Sequence, residues 1–361
     1  MTRGTLALLG LALAAPLVAE EPAPWPDPGP SFTQDLFPLN LVSLTYRPIG
    51  AETIGEGKWQ YSLQVMRSNT LEFSDAIRNT LKDHHGSRIP VDRAAAEQFA
   101  KAHPNEPMLF YFDGEYQRTE LQFRCGLTAD TDLALTLGWL SAGGGCLDGL
   151  IEDVHRIGFR QVGRDAIARN RISSAIIQNG QVTYYSEKKI GCEPMDPQLT
   201  LVHRFHEGPR WTASFVGTVQ IPLTTFEEGI RSDWDTSAGL AFQWRPSENH
   251  VFHGGVAYLR RALKDENEVF PFHLQDQVDG HLGWEWRGWA RVRPFLMLVC
   301  YDALTGKDPS GTMDKPSLLH DLGMHVRMGE HTALTLSYTN NITHYHNTAD
   351  LGFTLRLAVR P

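Results

Sequence analysis

Leu351-Gly352-Phe353-Thr354-Leu355-Arg356-Leu357-Ala358-Val359 is the stretch that decides the fold. Leu351, Phe353, Leu355, Leu357 and Val359 fall on one side of an extended chain. Gly352, Thr354, Arg356 and Ala358, all small or cationic, fall on the other. A period of two belongs to a strand, and one wholly apolar face marks a strand lying between two different surroundings. The pattern recurs upstream. Leu121, Phe123 and Cys125 alternate with Glu120, Gln122 and Arg124; Leu322, Met324, Val326 and Met328 alternate with Asp321, Gly323, His325 and Arg327.

Candidate strands lie near 58–69, 110–125, 131–140, 196–206, 210–221, 234–245, 250–261, 275–286, 291–301, 319–328, 332–340 and 349–359. Most run about 10–12 residues, longer than the strands of a soluble sandwich and matched to a tilted barrel stave. Their connections alternate between short and long. The short ones include Glu207-Gly208-Pro209 and Gly329-Glu330-His331, and the long ones include 70–109 and 141–195. Trp59, Trp211, Trp244, Trp286 and Trp289 cluster at the short-turn ends, where a membrane interface suits an amphipathic ring. The expected fold is all-β: an antiparallel transmembrane barrel of about 12 strands, with helical pieces in the long outer loops. Pro294 makes the strand near 291–301 one of the two weakest.

Composition alone gives a different impression. The 361 residues carry a net charge of −9, with 42% hydrophobic, 21% charged and 10% aromatic residues. These values resemble a soluble protein, and the acidic balance argues against nucleic acid as a partner. No apolar run after the N-terminus reaches the roughly 18 residues of a membrane helix, which leaves strands as the way to cross.

Met1-Thr2-Arg3, the apolar run Leu6 to Ala19, and then Glu20-Glu21 read as a secretory signal peptide cut near Ala19. The expected organisation is a signal peptide over 1–19, an N-terminal periplasmic segment over 20–57, Pro-rich at its start, and the barrel over 58–361. Export would place the chain in the outer membrane of a Gram-negative bacterium, with lipid and the barrel insertion machinery as partners. An oxidising compartment permits disulfides. Cys125, Cys146, Cys192 and Cys300 allow three pairings; Cys146 and Cys192 share one long irregular segment and form the favoured pair.

The polar sides of the strands supply a lumen set: Arg118, Glu120, Arg124, Asp279, His281, Glu285, Asp321, His325, Arg327 and Arg356. Acids and bases mix, so cross-strand ion pairs are expected. Two readings stay open: an interior filled by neutralised charge, or a narrow polar path for a small-molecule ligand. Val91 to His103 and Leu147 to Val154 read as short loop helices that either enter the barrel mouth as a plug or lie over it. Catalytic chemistry is not expected: no His-x-Ser pair or Gly-x-Ser-x-Gly turn is present. His203 projects to the apolar side and reads as an interface histidine near a turn. Neither a metal nor a cofactor is expected, because the His pairs lack the further ligands of a structural site.

Several loop motifs point to a family. Phe112-Asp113-Gly114-Glu115-Tyr116 leads into a strand. The long loop carries Gly143-Gly144-Gly145, then Asp148, Ile151-Glu152 and His155, and later Gly163-Arg164-Asp165. With Pro48, Gly50-Ala51, Gly57 and Asn69, these motifs cover most of the mature chain. The sequence resembles an uncharacterised family, a domain of unknown function, of predicted proteobacterial outer-membrane barrel proteins. That resemblance implies fold and location, and carries no established activity. Asp113, Glu115, Asp148, Glu152, His155 and Arg164 are the loop candidates. Asp113 and Glu115 flank Gly114 in a turn that aims the strand. Asp148, Glu152 and His155 would share one side of a helix, with hydrogen bonds and ion pairs to Arg164 or Arg156 that hold the loop as the favoured role and a proton or cation site as the other. The expected function is a partly plugged channel or binding barrel for a small polar or amphipathic compound. A non-transporting structural or assembly barrel is the alternative, and a lipid hydrolase a more distant one.

Overall fold

The first and last long strands pair with each other, Tyr61 opposite Val359 through Asn69 opposite Leu351, and this seam closes the sheet. The computed structural model describes residues 28–361 apart from 32, 42, 83, 85–87, 157–163, 225–232, 263–273, 307–311 and 344–347. The expected signal peptide lies outside the described residues. The strands are β1 (Trp59–Phe73), β2 (Met108–Thr128), β3 (Thr131–Gly143), β4 (Ser173–Gln178), β5 (Gln181–Ser186), β6 (Ile190–Pro194), β7 (Gln198–Glu207), β8 (Trp211–Gln220), β9 (Asp235–Ser247), β10 (His250–Arg260), β11 (Gln277–Trp286), β12 (Val292–Tyr301), β13 (Ser317–Arg327), β14 (Thr332–Asn341) and β15 (Leu351–Val359). All but β4, β5 and β6 form a closed antiparallel barrel of 12 strands. Each barrel strand matches one expected from the sequence to within a few residues.

The alternation sorts as a membrane barrel requires. Leu63, Leu282 and Leu355 point outward and are 43%, 54% and 46% exposed, whereas Gln64, Glu120 and Arg356 point inward and are buried. Trp59, Trp211 and Trp289 are exposed on the short-turn side, and the Trp211 and Trp244 rings stack at 5.5 Å. Pro294 is tolerated because the ladder from β12 to β11 begins one residue later, at Phe295, so its missing N–H falls outside it. β12 departs from the polar-inside rule. Phe295, Met297, Val299 and Tyr301 are its inward residues, and all are buried.

On the long-loop side the structure continues as a cap. β2 overshoots the wall, and Met108–Asp113 pair with β4, which pairs with β5. Helices α2 (Asp75–Lys82) and α3 (Arg93–Ala102) pack on this small sheet around Phe73, Ile77, Leu81, Phe99, Tyr111 and Ile177. The Asp92 carboxylate caps α3 by accepting from the Ala95 N–H at 3.0 Å. The helix expected over 91–103 therefore forms, and it lies over the barrel instead of entering it.

What enters the barrel is the N-terminal segment. The stretch expected to be a periplasmic segment over 20–57 is, from residue 28 to residue 54, almost wholly buried inside the wall. Its path follows from its contacts. The Pro28 carbonyl accepts from Arg356 low in the lumen, and Thr33 donates to Asp321 higher up. Asp35 accepts from the Ala349 N–H at the long-loop end. There the chain turns through a short helix, α1 (Pro38–Leu41), and returns. Leu44 N–H reaches Asp235, Tyr46 reaches His281, and Ile54 N–H reaches Asp132 beside the short turns. The segment is thus a loop with a rising and a descending limb, and β1 starts where the descending limb leaves.

Candidate functional site in the lumen and at its mouth

Sequence candidates on the wall meet the plug residue by residue. Glu120 accepts from Arg118 on its own strand at 2.6 Å and from Arg47 of the descending limb at 2.5 Å. Arg124 pairs across strands with Asp132 at 2.6 Å and also donates to the Glu52 carbonyl of the plug. Asp321 accepts from Thr33 at 2.8 Å and from Thr339 at 2.9 Å. Glu285 receives His253 at 3.1 Å and Arg287 at 2.9 Å. His325 bonds Thr335 and stacks on Phe295 at 4.7 Å. Asp279 accepts the Asp302 N–H near the mouth, and Arg327 donates to the Gly329 carbonyl at the opposite rim. Cross-strand pairs form at Arg124–Asp132 and His253–Glu285, and the plug adds the Arg47 guanidinium at Glu120 and the Thr33 hydroxyl at Asp321.

The tip of the plug is anchored differently. Phe37 and Leu39 pack with Met108, Phe110, Phe112, Ile176, Leu274, Leu304 and Met313, with Phe37 edge-on to Phe112 at 5.6 Å. Asn40 accepts from Arg261, whose side chain is fully buried. Leu44 and Tyr46 continue the apolar contact onto Leu259, Met297, Val299 and Tyr301, which explains the apolar interior of β12. Among the described residues, cavities of about 30 Å³ and 20 Å³ lie beside the limbs, each room for little more than one water. Of the two readings of the lumen, the filled one describes this state.

At the mouth the family motifs converge. Glu115 receives Arg67 at 2.6 Å and also accepts the Leu147 N–H. Gly145 has φ +58°, and a Cβ there would fall 1.8 Å from the Glu115 carboxyl carbon; at Gly144 it would fall 2.0 Å from the Asn170 carbonyl oxygen. The glycine run lets the loop close on both groups. Asp148 opens helix α4 (Asp148–Arg156) and binds Arg164 at 3.0 Å, Asn69 at 3.1 Å and the Asn170 N–H at 2.6 Å. Arg164 also reaches Asp350 at 2.8 Å, and Glu152 is clasped by Arg88 and Arg169. The His155 side chain lies outside the described residues. Asp113 and Glu72 sit on the extension of the β1–β2 hairpin, past the last pairs of β1 with β15 and of β2 with β3. Burial pushes both well above the ordinary carboxylate range, helped by Asp148 beside Asp113 and by Asp350 beside Glu72, with Arg164 opposing. These acids meet arginine, and among the described residues no three His, Cys, Asp or Glu groups converge as metal ligands. The arrangement holds the loop against the wall.

The favoured disulfide does not form. All four cysteines are free thiols. Cys146 lies by Arg67 of β1, on the β2 side of β3, whereas Cys192 is on β6, which pairs with the other edge of β3. His203 is exposed and shares a hydrogen bond with Thr131 at 3.0 Å, next to a short turn.

Two predictions arise at the mouth. Gly145→Ala is expected to cost about 1–2 kcal/mol from its left-handed backbone alone. Limited proteolysis should then cut the 144–195 loop faster, with the barrel intact. The second concerns pH. Burial opposes ionisation of Glu152, but the hydrogen bonds and charges of Arg169 and Arg88 prevail and hold it at about 2. Its contribution to cap stability is therefore present above the ordinary value of 4.5 and is lost as pH falls toward 2. Asp35 has the opposite sign. Burial raises it to about 6, against hydrogen bonds from Ala349, Phe37 and Asn40, so seating of the plug tip weakens as pH rises from 3.8 toward 6. Proteolysis of the cap across pH 2–5, compared with Glu152→Gln, should show acid loosening that the variant lacks.

The Gly-rich loop, the Asp-Gly-Glu element and Arg164 all fall within residues 51–360, the span matched by a family model described as "Protein of unknown function (DUF3187)". The chain belongs to that family. The match begins at Ala51, so most of the plug precedes it. No curated protein matches the chain. Among solved structures it is similar to the translocator domain of the autotransporter NalP from Neisseria meningitidis, at 12% identity over 86% of this chain and 90% of that one, with a TM-score of 0.43. It is also similar to a KdgM porin, at 5% identity over 70% and 95%, TM-score 0.39. A Pseudomonas aeruginosa FadL homologue aligns at 6% identity over 84% and 90%, TM-score 0.35.

Proposed function

We propose that the chain is an outer-membrane barrel of a Gram-negative bacterium that passes or binds a small polar or amphipathic compound when its N-terminal plug shifts. The observation that carries this reading is the way the limbs are held. Wall carboxylates and arginines hold them through single contacts such as Asp321–Thr33 and Asp235–Leu44, which water can replace one by one. With the limbs displaced, the wall left behind is polar except along β12 and its neighbours Leu259 and Leu319. The apolar seat of Phe37 and Leu39 favours a second reading, a permanently filled barrel with a structural or assembly role.

A reversible lock separates the two. The Thr33 and Thr354 hydroxyl oxygens lie 3.3 Å apart across the limb and the wall. In a background with the native cysteines replaced, Thr33→Cys with Thr354→Cys should silence solute or ion passage when oxidised and restore it when reduced. Passage that is absent in both states, or equal in both, would overturn the gated reading. Membrane fractionation with heat-modifiable gel mobility tests the location.

A further inference from the structure

The charges of the lumen are not spread evenly. On β2, β11, β13 and β15 the inward side chains include Arg118, Glu120, His281, Asp321 and Arg356. By contrast, β7 to β10 present Thr200, Thr218, Ser237, Gly239, Ala241 and Ala257. This sector borders the larger cavity, which the descending limb closes with Leu44, Tyr46 and Ile49. The one charged side chain at its edge, Arg47, is paired with Glu120.

Two details point to a ligand. His281 borders the cavity and is 7% exposed; its Nδ1 shares a hydrogen bond with the Tyr46 hydroxyl at 2.6 Å, while Nε2 has no partner among the described residues. A buried polar atom left this way is costly unless something hydrogen-bonds to it. The small wall residues are also fixed by their neighbours. A Cβ at Gly239 would fall 2.2 Å from the Val256 carbonyl oxygen, and one at Gly255 would fall 2.7 Å from the His281 ring and 3.1 Å from the Tyr46 hydroxyl. The glycines keep β9 and β10 close and leave the His281–Tyr46 pair its place.

We propose that the gap between the descending limb and β7–β10 is a binding site for a small uncharged compound that carries hydroxyl groups and an apolar face. Thr200, Thr218 and Ser237 offer hydroxyls, His281 and Tyr46 a polar end, and Ala241, Ala257 and Leu44 an apolar surface. A charged compound would leave water without a counter-charge to receive it. In the closed state the gap admits one water, so a ligand enters as the limb moves aside; the proposal rests on the mobile-plug reading to that extent.

The test is saturation-transfer NMR on the detergent-solubilised full chain, with glucose and glucuronate as probes of equal frame and different charge. Glucose should receive signal and glucuronate little. Thr218→Val, which keeps the shape, and His281→Phe should each reduce the glucose signal at least about threefold, with gel mobility confirming the fold. A glucose signal that is absent, matched by glucuronate, or unchanged in both variants would overturn the site. A barrel that binds glucose yet never passes ions would keep the site and remove the channel reading instead.

Discussion

A chain lacking residues 28–50 is expected to conduct ions in a planar bilayer about tenfold or more above the intact chain, because a 12-strand wall is wider than the 8-strand case that side chains fill by themselves. The rising limb, the tip and most of the descending limb lie in that span, and the two residual cavities are its packing faults. Removing it hydrates Glu120, Asp321 and Arg356, which are charged and need no new partner once water is present. The deletion could also fail to assemble, so a second variant carries the same expectation. Asp321→Asn with Asp235→Asn keeps every residue of the plug and weakens two of its bonds, to Thr33 at 2.8 Å and to the Leu44 N–H at 2.7 Å. A hydrogen bond to a charged group contributes about 1.5–3 kcal/mol, so the pair should shift the seated population by on the order of a hundredfold. Openings should become frequent without loss of heat-modifiable mobility. Folded variants that stay as silent as the intact chain would establish a permanently filled barrel.

The second large effect is expected at the mouth. Arg164→Ala removes a buried guanidinium that serves Asp148, Asp350 and Asn69 together. It also takes from Asp113 and Glu72, both already held against ionisation, the larger of the charges that oppose this, leaving Arg171 and Arg78. Breaking one side of a buried ion pair costs about 3–5 kcal/mol. The cost should fall on the cap and spare the wall. Proteolysis within 144–195 should accelerate steeply, while the barrel keeps its gel mobility. Arg164→Lys should rescue only in part, since one ammonium cannot span three acceptors with the planar fork of arginine. An Arg164→Ala chain whose loop resists protease as well as the intact one would show that the cap is held from elsewhere.

The wall was legible because lipid and lumen impose opposite demands on neighbouring residues, and Leu355 beside Arg356 states both. Pro294 weakened one strand on paper, yet it sits where the ladder to β11 has not begun. β12 misled in a subtler way: the alternation expects a polar inner face, but Met297, Val299 and Tyr301 are turned inward to meet Leu44 and Tyr46. No local pattern reports that, because the partner is far away in sequence. The plug itself left a mark that composition could have revealed. Between residues 31 and 54 the only charged side chains are Asp35, Arg47 and Glu52, while Leu36, Phe37, Leu39, Leu41 and Leu44 crowd together. A segment so apolar is ill suited to water. The loop motifs were readable as motifs; that Asp148 and Arg164 converge on Asn69 and Asp350 depends on the barrel bringing β1 and β15 side by side.

The seam between β1 and β15 also sets a timetable. Thr33 finds Asp321 across 288 positions of sequence, and Asp35 finds Ala349 across 314. Contacts so distant form late, because the intervening chain must first be placed. The earliest described residues to be synthesised are therefore among the last to acquire partners. Until the segments carrying Phe112, Ile176, Leu274, Leu304 and Met313 are in place, the apolar run around Phe37 has no seat and needs shelter from aggregation. The described ends of both limbs, Pro28 and Ile54, lie toward the short-turn side, so the loop between them can be inserted after the wall has closed and no strand has to part to admit it.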